Sequence, residues 1–195
     1  GVSAPVWSAD GAIRRVMEDE LGVGTGDPLV AAWGADGDKV MIEQDGRGLG
    51  LFDGVSSPEW LDVLPDASRA DISPDGHWIA YRSRASGQSD VYVQRLDGGE
   101  AYPIASGFTP KWSLDGRRLY YNTRCEFFVV EVGAGEELDF GLPRPLVNHC
   151  DLVDLRTSRF EVDREGRFYV MDLVPDSGVI TSLDLVQHWA DTIEH

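Results

Sequence analysis

Ile72-Ser73-Pro74-Asp75-Gly76-His77-Trp78-Ile79-Ala80-Tyr81 reads as a tight turn running into a β-strand. Ser and Pro suit the first two positions of a type I turn, and a glycine after Asp supplies the left-handed residue that completes a three-residue hairpin loop. The residues behind the turn are β-branched or aromatic, which favours strand. The pattern recurs as Trp7-Ser8-Ala9-Asp10-Gly11, Trp33-Gly34-Ala35-Asp36-Gly37 and Trp112-Ser113-Leu114-Asp115-Gly116, with a degenerate copy at Val162-Asp163-Arg164-Glu165-Gly166. Successive glycines stand 26, 39, 40 and 50 residues apart. A repeat near 40 residues predicts the four-stranded blades of a β-propeller.

Working outward from the turns, Lys39-Val40-Met41-Ile42 and Arg118-Leu119-Tyr120-Tyr121 superpose on Trp78-Ile79-Ala80-Tyr81 when the glycines are aligned. The same alignment puts Arg14 where the other copies have Val40, Ile79, Leu119 and Tyr169, a core-like position. Apolar character that is continuous, not alternating, predicts strands covered on both faces by stacked neighbours. The best-preserved unit has two more strands, at 90–95 and 101–105, and the next unit has strands at 127–132 and 143–147 around a loop at 133–139 rich in Gly and Glu. Residues 180–186 read as a strand and 189–193 as the one short helix. The expected fold class is therefore all-β. It is one propeller domain or propeller fragment over 1–195, with units at about 1–28 (partial), 29–68, 69–108, 109–157 and 158–195: about four blades, plus a first unit too short to be complete.

Ser73-Pro74-Asp75-Gly76-His77-Trp78-Ile79-Ala80-Tyr81, continued by Ser83-Arg84-Ala85-Ser86-Gly87 and Asp90-Val91-Tyr92-Val93, resembles the WD40-like Pro-Asp repeat of TolB-type β-propellers, most specifically over residues 70–132. The tail is similar to the C-terminal propeller of some bacterial eukaryote-like serine/threonine kinases. There a Gly-x-Pro-Arg-Pro-Leu stretch precedes the last motif, as Gly141-Leu142-Pro143-Arg144-Pro145-Leu146 precedes Phe160-Glu161-Val162-Asp163 and a closing Trp189 here. The resemblance implies six blades and a periplasmic or secreted location. It implies no particular chemistry, because propellers host unrelated functions.

Composition narrows the function from the other side. The 195 residues carry 34 Asp plus Glu against 17 Lys plus Arg, a formal charge of −17. Nucleic-acid binding is driven by cationic side chains that release counterions from phosphates, so this balance excludes it. The bland account of the charge is a solvated acidic surface. No apolar run approaches the roughly 20 residues of a membrane helix. Cys125 and Cys150 are the only cysteines, too few for a disulfide scaffold or a zinc ribbon; they form one bridge or none.

A search for catalytic chemistry returns nothing. Gly-x-Ser-x-Gly, the kinase Gly-rich loop and His-Arg-Asp, the phosphate-binding Gly-Lys-Ser/Thr and His-Glu-x-x-His are all absent from the sequence. His149 and Cys150 adjoin Asp151 and Asp154, but without a second spaced pair they read as a polar loop and not a metal site. His77 reads as a surface residue, and His188 and His195 take no role. The Asp-Gly pairs hold the oxygen ligands that calcium uses, yet recurrence at every turn assigns Asp10, Gly11, Asp36, Gly37, Asp75, Gly76, Asp115, Gly116 and Gly166 to structure. No catalytic, cofactor or metal residue is expected. The expected function is a non-enzymatic scaffold that binds a protein or ligand, the sensor or interaction part of a larger protein and a possible homo-oligomer. The rival is the substrate-gating propeller of a prolyl-oligopeptidase-type serine peptidase, which a Gly-x-Ser-x-Gly domain encoded beyond His195 would identify.

Overall fold

The computed structural model describes residues 4–7, 13–16, 29–34, 39–44, 47–52, 59–60, 64, 66–133, 139–148, 159–172 and 182–186. They are all β, with no helix among them. The first sheet pairs β1 (Ala4–Trp7) with β2 (Ile13–Val16). The second contains β3 (Leu29–Trp33), β4 (Val40–Gln44), β5 (Gly48–Phe52) and β6 (Glu59–Trp60). The third contains β7 (Ser68–Ile72), β8 (Trp78–Ser83), β9 (Asp90–Arg95) and β10 (Tyr102–Ser106). The fourth contains β11 (Lys111–Trp112), β12 (Arg118–Asn122), β13 (Glu126–Glu131) and β14 (Arg144–Asn148). The fifth contains β15 (Arg159–Val162), β16 (Phe168–Asp172) and β17 (Ser182–Val186). Every sheet is an antiparallel meander in chain order. β3 packs beside β7, and β7 beside β11, so the first strands of the second, third and fourth sheets are the inner ones, while β10 and β14 lie outermost and exposed.

The unbroken apolar runs follow from this stacking. Alternate residues of β8 point to opposite neighbours. Ile79 and Tyr81 join Ala32, Met41 and Leu49 of the second sheet in one buried cluster, while Trp78 and Ala80 join Trp112, Leu119 and Tyr121 of the fourth in another. Tyr120, on the other face of β12, packs with Phe127, Phe160 and Phe168 between the fourth and fifth sheets. Its ring meets that of Phe168 edge to face at 5.3 Å. Burial on both faces of a strand removes the period-2 alternation that a one-sided sheet shows.

The registers correct two expectations. The four-residue loop at 74–77 is one longer than the predicted hairpin loop, because Ser73 pairs with Trp78. The same count holds from Gly34 to Lys39 and from Ser113 to Arg118. The last sheet is one residue shorter, since Asp163 pairs with Arg167. Phe168, not Tyr169, therefore stands opposite Val162 as Ile79 stands opposite Ile72. The first sheet is shortened alike: Trp7 pairs with Ile13, so Ile13, not Arg14, holds the position equivalent to Val40 and Leu119. β17, within the expected strand at 180–186, pairs with β16 of its own sheet. The helix expected at 189–193 lies outside the described residues.

Candidate functional site

Each turn is held by its own side chains. In the third sheet, Asp75 Oδ1 accepts from the Ser73 hydroxyl and from the His77 N–H at 3.0 Å, while Ser73 Oγ accepts from the Trp78 N–H at 2.9 Å. Ser113 and Asp115 make the same set to Arg117 and Arg118. These bonds satisfy the donors that an extra loop residue would orphan, which is why four residues fit where three were expected. In the degenerate copy Asp163 takes the place of Ser, and Asp163 Oδ1 accepts from Glu165 and Arg167 N–H groups. Gly76, Gly116 and Gly166 lie at φ 72°, 69° and 77°. Burial raises the Asp75 carboxyl, but the Ser73 hydroxyl and His77 N–H outweigh it and hold it below the ordinary value. The Ser113 hydroxyl and Arg117 N–H do the same for Asp115. Asp10, Gly11, Asp36 and Gly37, with His149, Cys150, Asp151, Asp154, His188 and His195, lie outside the described residues. His77 is exposed.

The inner strands carry a charged ladder. Five residues before each turn glycine stand Ala32, Asp71, Lys111 and Glu161, so one side chain per sheet occupies the same level. Lys111 Nζ lies 3.6 Å from Asp71 Oδ1 and 2.9 Å from Glu161 Oε1, and Asp71 Oδ2 accepts from the Trp112 N–H at 2.7 Å. Burial pushes the Asp71 carboxyl up to about 6, Glu161 adds to the rise, and Lys111 and the Trp112 N–H offset it only in part. Lys111 is itself held above its ordinary value, because two carboxylates outweigh its burial. Arg69, two residues earlier, adopts φ 52°. Its N–H donates to Glu43 Oε2 of the second sheet at 2.8 Å, and its Nη1 donates to Thr109 Oγ1 of the fourth at 3.3 Å. The inner charges of three sheets thus bind one another, an arrangement that ties sheets together and presents no activated nucleophile. This ladder was missed in the sequence; equal spacing from the glycines was the signal for it.

A cleft of about 460 Å³ opens between the third and fourth sheets on the side of the turns. Its walls include Pro74, Asp75, Trp78, Trp112, Asp115 and Arg117. Tyr102, Leu114 and Leu142 are the exposed large hydrophobic residues among those described, at 41%, 58% and 91%. None of the three lines the cleft itself, but each is linked to a residue that does or to that residue's partner. Tyr102 lies 6.4 Å from the ring of Trp78 and 6.3 Å from that of Phe140, Leu114 precedes Asp115, and Leu142 follows the bridge of Phe140 to Val132. Among the described residues no group of three His, Cys, Asp or Glu side chains is placed to hold a metal. Cys125 is disulfide-bonded; Cys150, the only other cysteine, lies outside the described residues.

Successive antiparallel meanders with inner strands side by side define an all-β, propeller-like protein. The chain is similar to a putative TolB from Agrobacterium tumefaciens, at 16% identity and a TM-score of 0.63, over 94% of this chain and 64% of that one. It is similar to TolB from Acinetobacter baumannii at 20% identity and a TM-score of 0.52, over 72% and 45%. A putative 6-phosphogluconolactonase from Bacteroides uniformis matches at 15% and 0.52, over 95% and 63%. At such identities the likeness concerns the fold alone, and the chain spans less than two thirds of each of these proteins. No family model matches the sequence, and no curated protein matches it.

Proposed function

We propose that this chain is a non-enzymatic propeller scaffold that binds a protein or peptide partner through the side carrying the turns. One observation carries the reading: the exposed large hydrophobic residues Tyr102, Leu114 and Leu142 are linked, by ring contact to Trp78, by adjacency to Asp115 and through the Phe140–Val132 bridge, to residues that line the cleft between the third and fourth sheets. Exposed apolar side chains gathered at one concavity are the usual mark of a recognition surface. The charged inner residues, by contrast, are engaged with one another. The disulfide at Cys125 favours a place outside the cytoplasm. The resemblance of 141–146 and 160–163 to kinase-attached propellers favours the sensor part of a larger protein.

Selection of a displayed peptide library on the immobilised chain tests this. The peptides recovered are expected to bind the Leu114→Ser/Leu142→Ser variant at least tenfold more weakly while its melting temperature stays unchanged. Recovery of no peptide, or of peptides indifferent to both substitutions, would overturn the reading. The chain is also expected to turn over no peptide, ester or sugar lactone and to transfer no phosphate. Activity that survives repurification and is lost on one Ser, His or Asp substitution would show an enzyme instead.

A further inference from the structure

Resting on that reading, we propose that the cleft between the third and fourth sheets takes an extended peptide segment in which a basic side chain adjoins an apolar one. Two carboxylates from adjacent sheets line it. In both, the hydrogen bonds of the turn go to Oδ1, which leaves Oδ2 of Asp75 and of Asp115 free to accept. Both are ionised at neutral pH. A guanidinium or ammonium is the group that two such oxygens recognise. Trp112, 6% exposed, forms part of the same wall. Arg117 lines the cleft and, among the described residues, no hydrogen bond or ion pair engages its guanidinium, which is a donor for main-chain carbonyls. One guanidinium against two carboxylates leaves the cleft net negative, and the charge of −17 on the whole chain draws a basic segment toward it. Pro74, Trp78 and Val132 in the wall, with Leu114 beside it, offer the apolar contact.

The test is calorimetry at 0.15 M salt with two acetylated, amidated pentapeptides, one with Arg between two Leu residues and one with Glu in its place; arginine amide tests whether the cation alone suffices. The Arg peptide is expected to bind at least tenfold more tightly than either other probe. Asp75→Asn and Asp115→Asn keep Oδ1 for the turn and remove the charge, and each is expected to weaken binding at least threefold. Glu100→Gln, at an exposed position outside the cleft, is expected to change nothing. Equal binding of the Arg and Glu peptides, a loss in Glu100→Gln as large as in Asp115→Asn, or no binding at millimolar peptide would overturn the proposal, with melting curves confirming that each variant is folded. Should library selection yield peptides that need Leu114 and Leu142 but lack a basic residue, the binding-module reading stands and this inference falls.

Discussion

Gly76 and Gly116 occupy backbone conformations that strain any residue with a Cβ. Gly76→Ala and Gly116→Ala are each expected to lower stability by about 1 kcal/mol in denaturant melts; unchanged midpoints would remove the turn argument. Asp71 governs a pH dependence of less usual sign. Its carboxyl holds a proton up to about pH 6 in the folded chain against an ordinary value of 3.8. The unfolded chain therefore binds fewer protons between those limits. The contribution of Asp71 to stability is full below about pH 4 and is lost as pH rises through 6, by about 3 kcal/mol. Lys111, which faces it, is held above its ordinary value and stays ionised across that window. Melts at pH 4.5 and 7 are expected to show the Asp71→Asn variant losing less stability than the parent chain on going up; parallel curves would contradict this. Asp75 and Asp115 act in the opposite sense, since their lowered values withdraw stability only as pH falls below 4.

At the scale of single elements, the turns and the strands behind them were legible because Ser, Pro, Asp and Gly each have a local physical reason to sit where they do. β9 and β12 fall within a residue of their expected bounds for that reason, while β8 runs two residues past the expected 78–81. The loop length was not legible. A residue deleted after the glycine leaves the motif intact while shifting everything behind it, so Tyr169 and Arg14 were aligned where Phe168 and Ile13 belong. The ladder was hidden for another reason: Asp71, Lys111 and Glu161 are 40 and 50 residues apart and meet only once sheets stack. Of the candidate site, the turn carboxylates were visible as structure, but the cleft depends on how two sheets lean together. Two element-scale outcomes follow. Ser113→Ala, which leaves the Arg118 N–H without its acceptor, is expected to cost about 1 kcal/mol, measured by denaturant melts against the parent. A thiol count under denaturing, non-reducing conditions is expected to find no free thiol, since Cys125 is bonded; two free thiols would reject the bridge.

Across the whole molecule, stacking uses the inner charges and leaves the outer strands to guard themselves. β10 and β14 carry Pro103 and Pro145, and each ladder has a register shift beside its proline; both devices discourage pairing with another chain. Self-association, where it occurs, is thus expected to use sheet faces at the two ends of the array. Arg14 gives it no support, because Ile13 holds the core-like register. Recognition, on the proposed reading, resides in the cleft between the third and fourth sheets. Hydrogen exchange with and without a peptide recovered by selection tests it most directly. Protection is expected at 73–78, 112–118 and 131–133, with none added at β5. Protection confined to other segments would contradict the account.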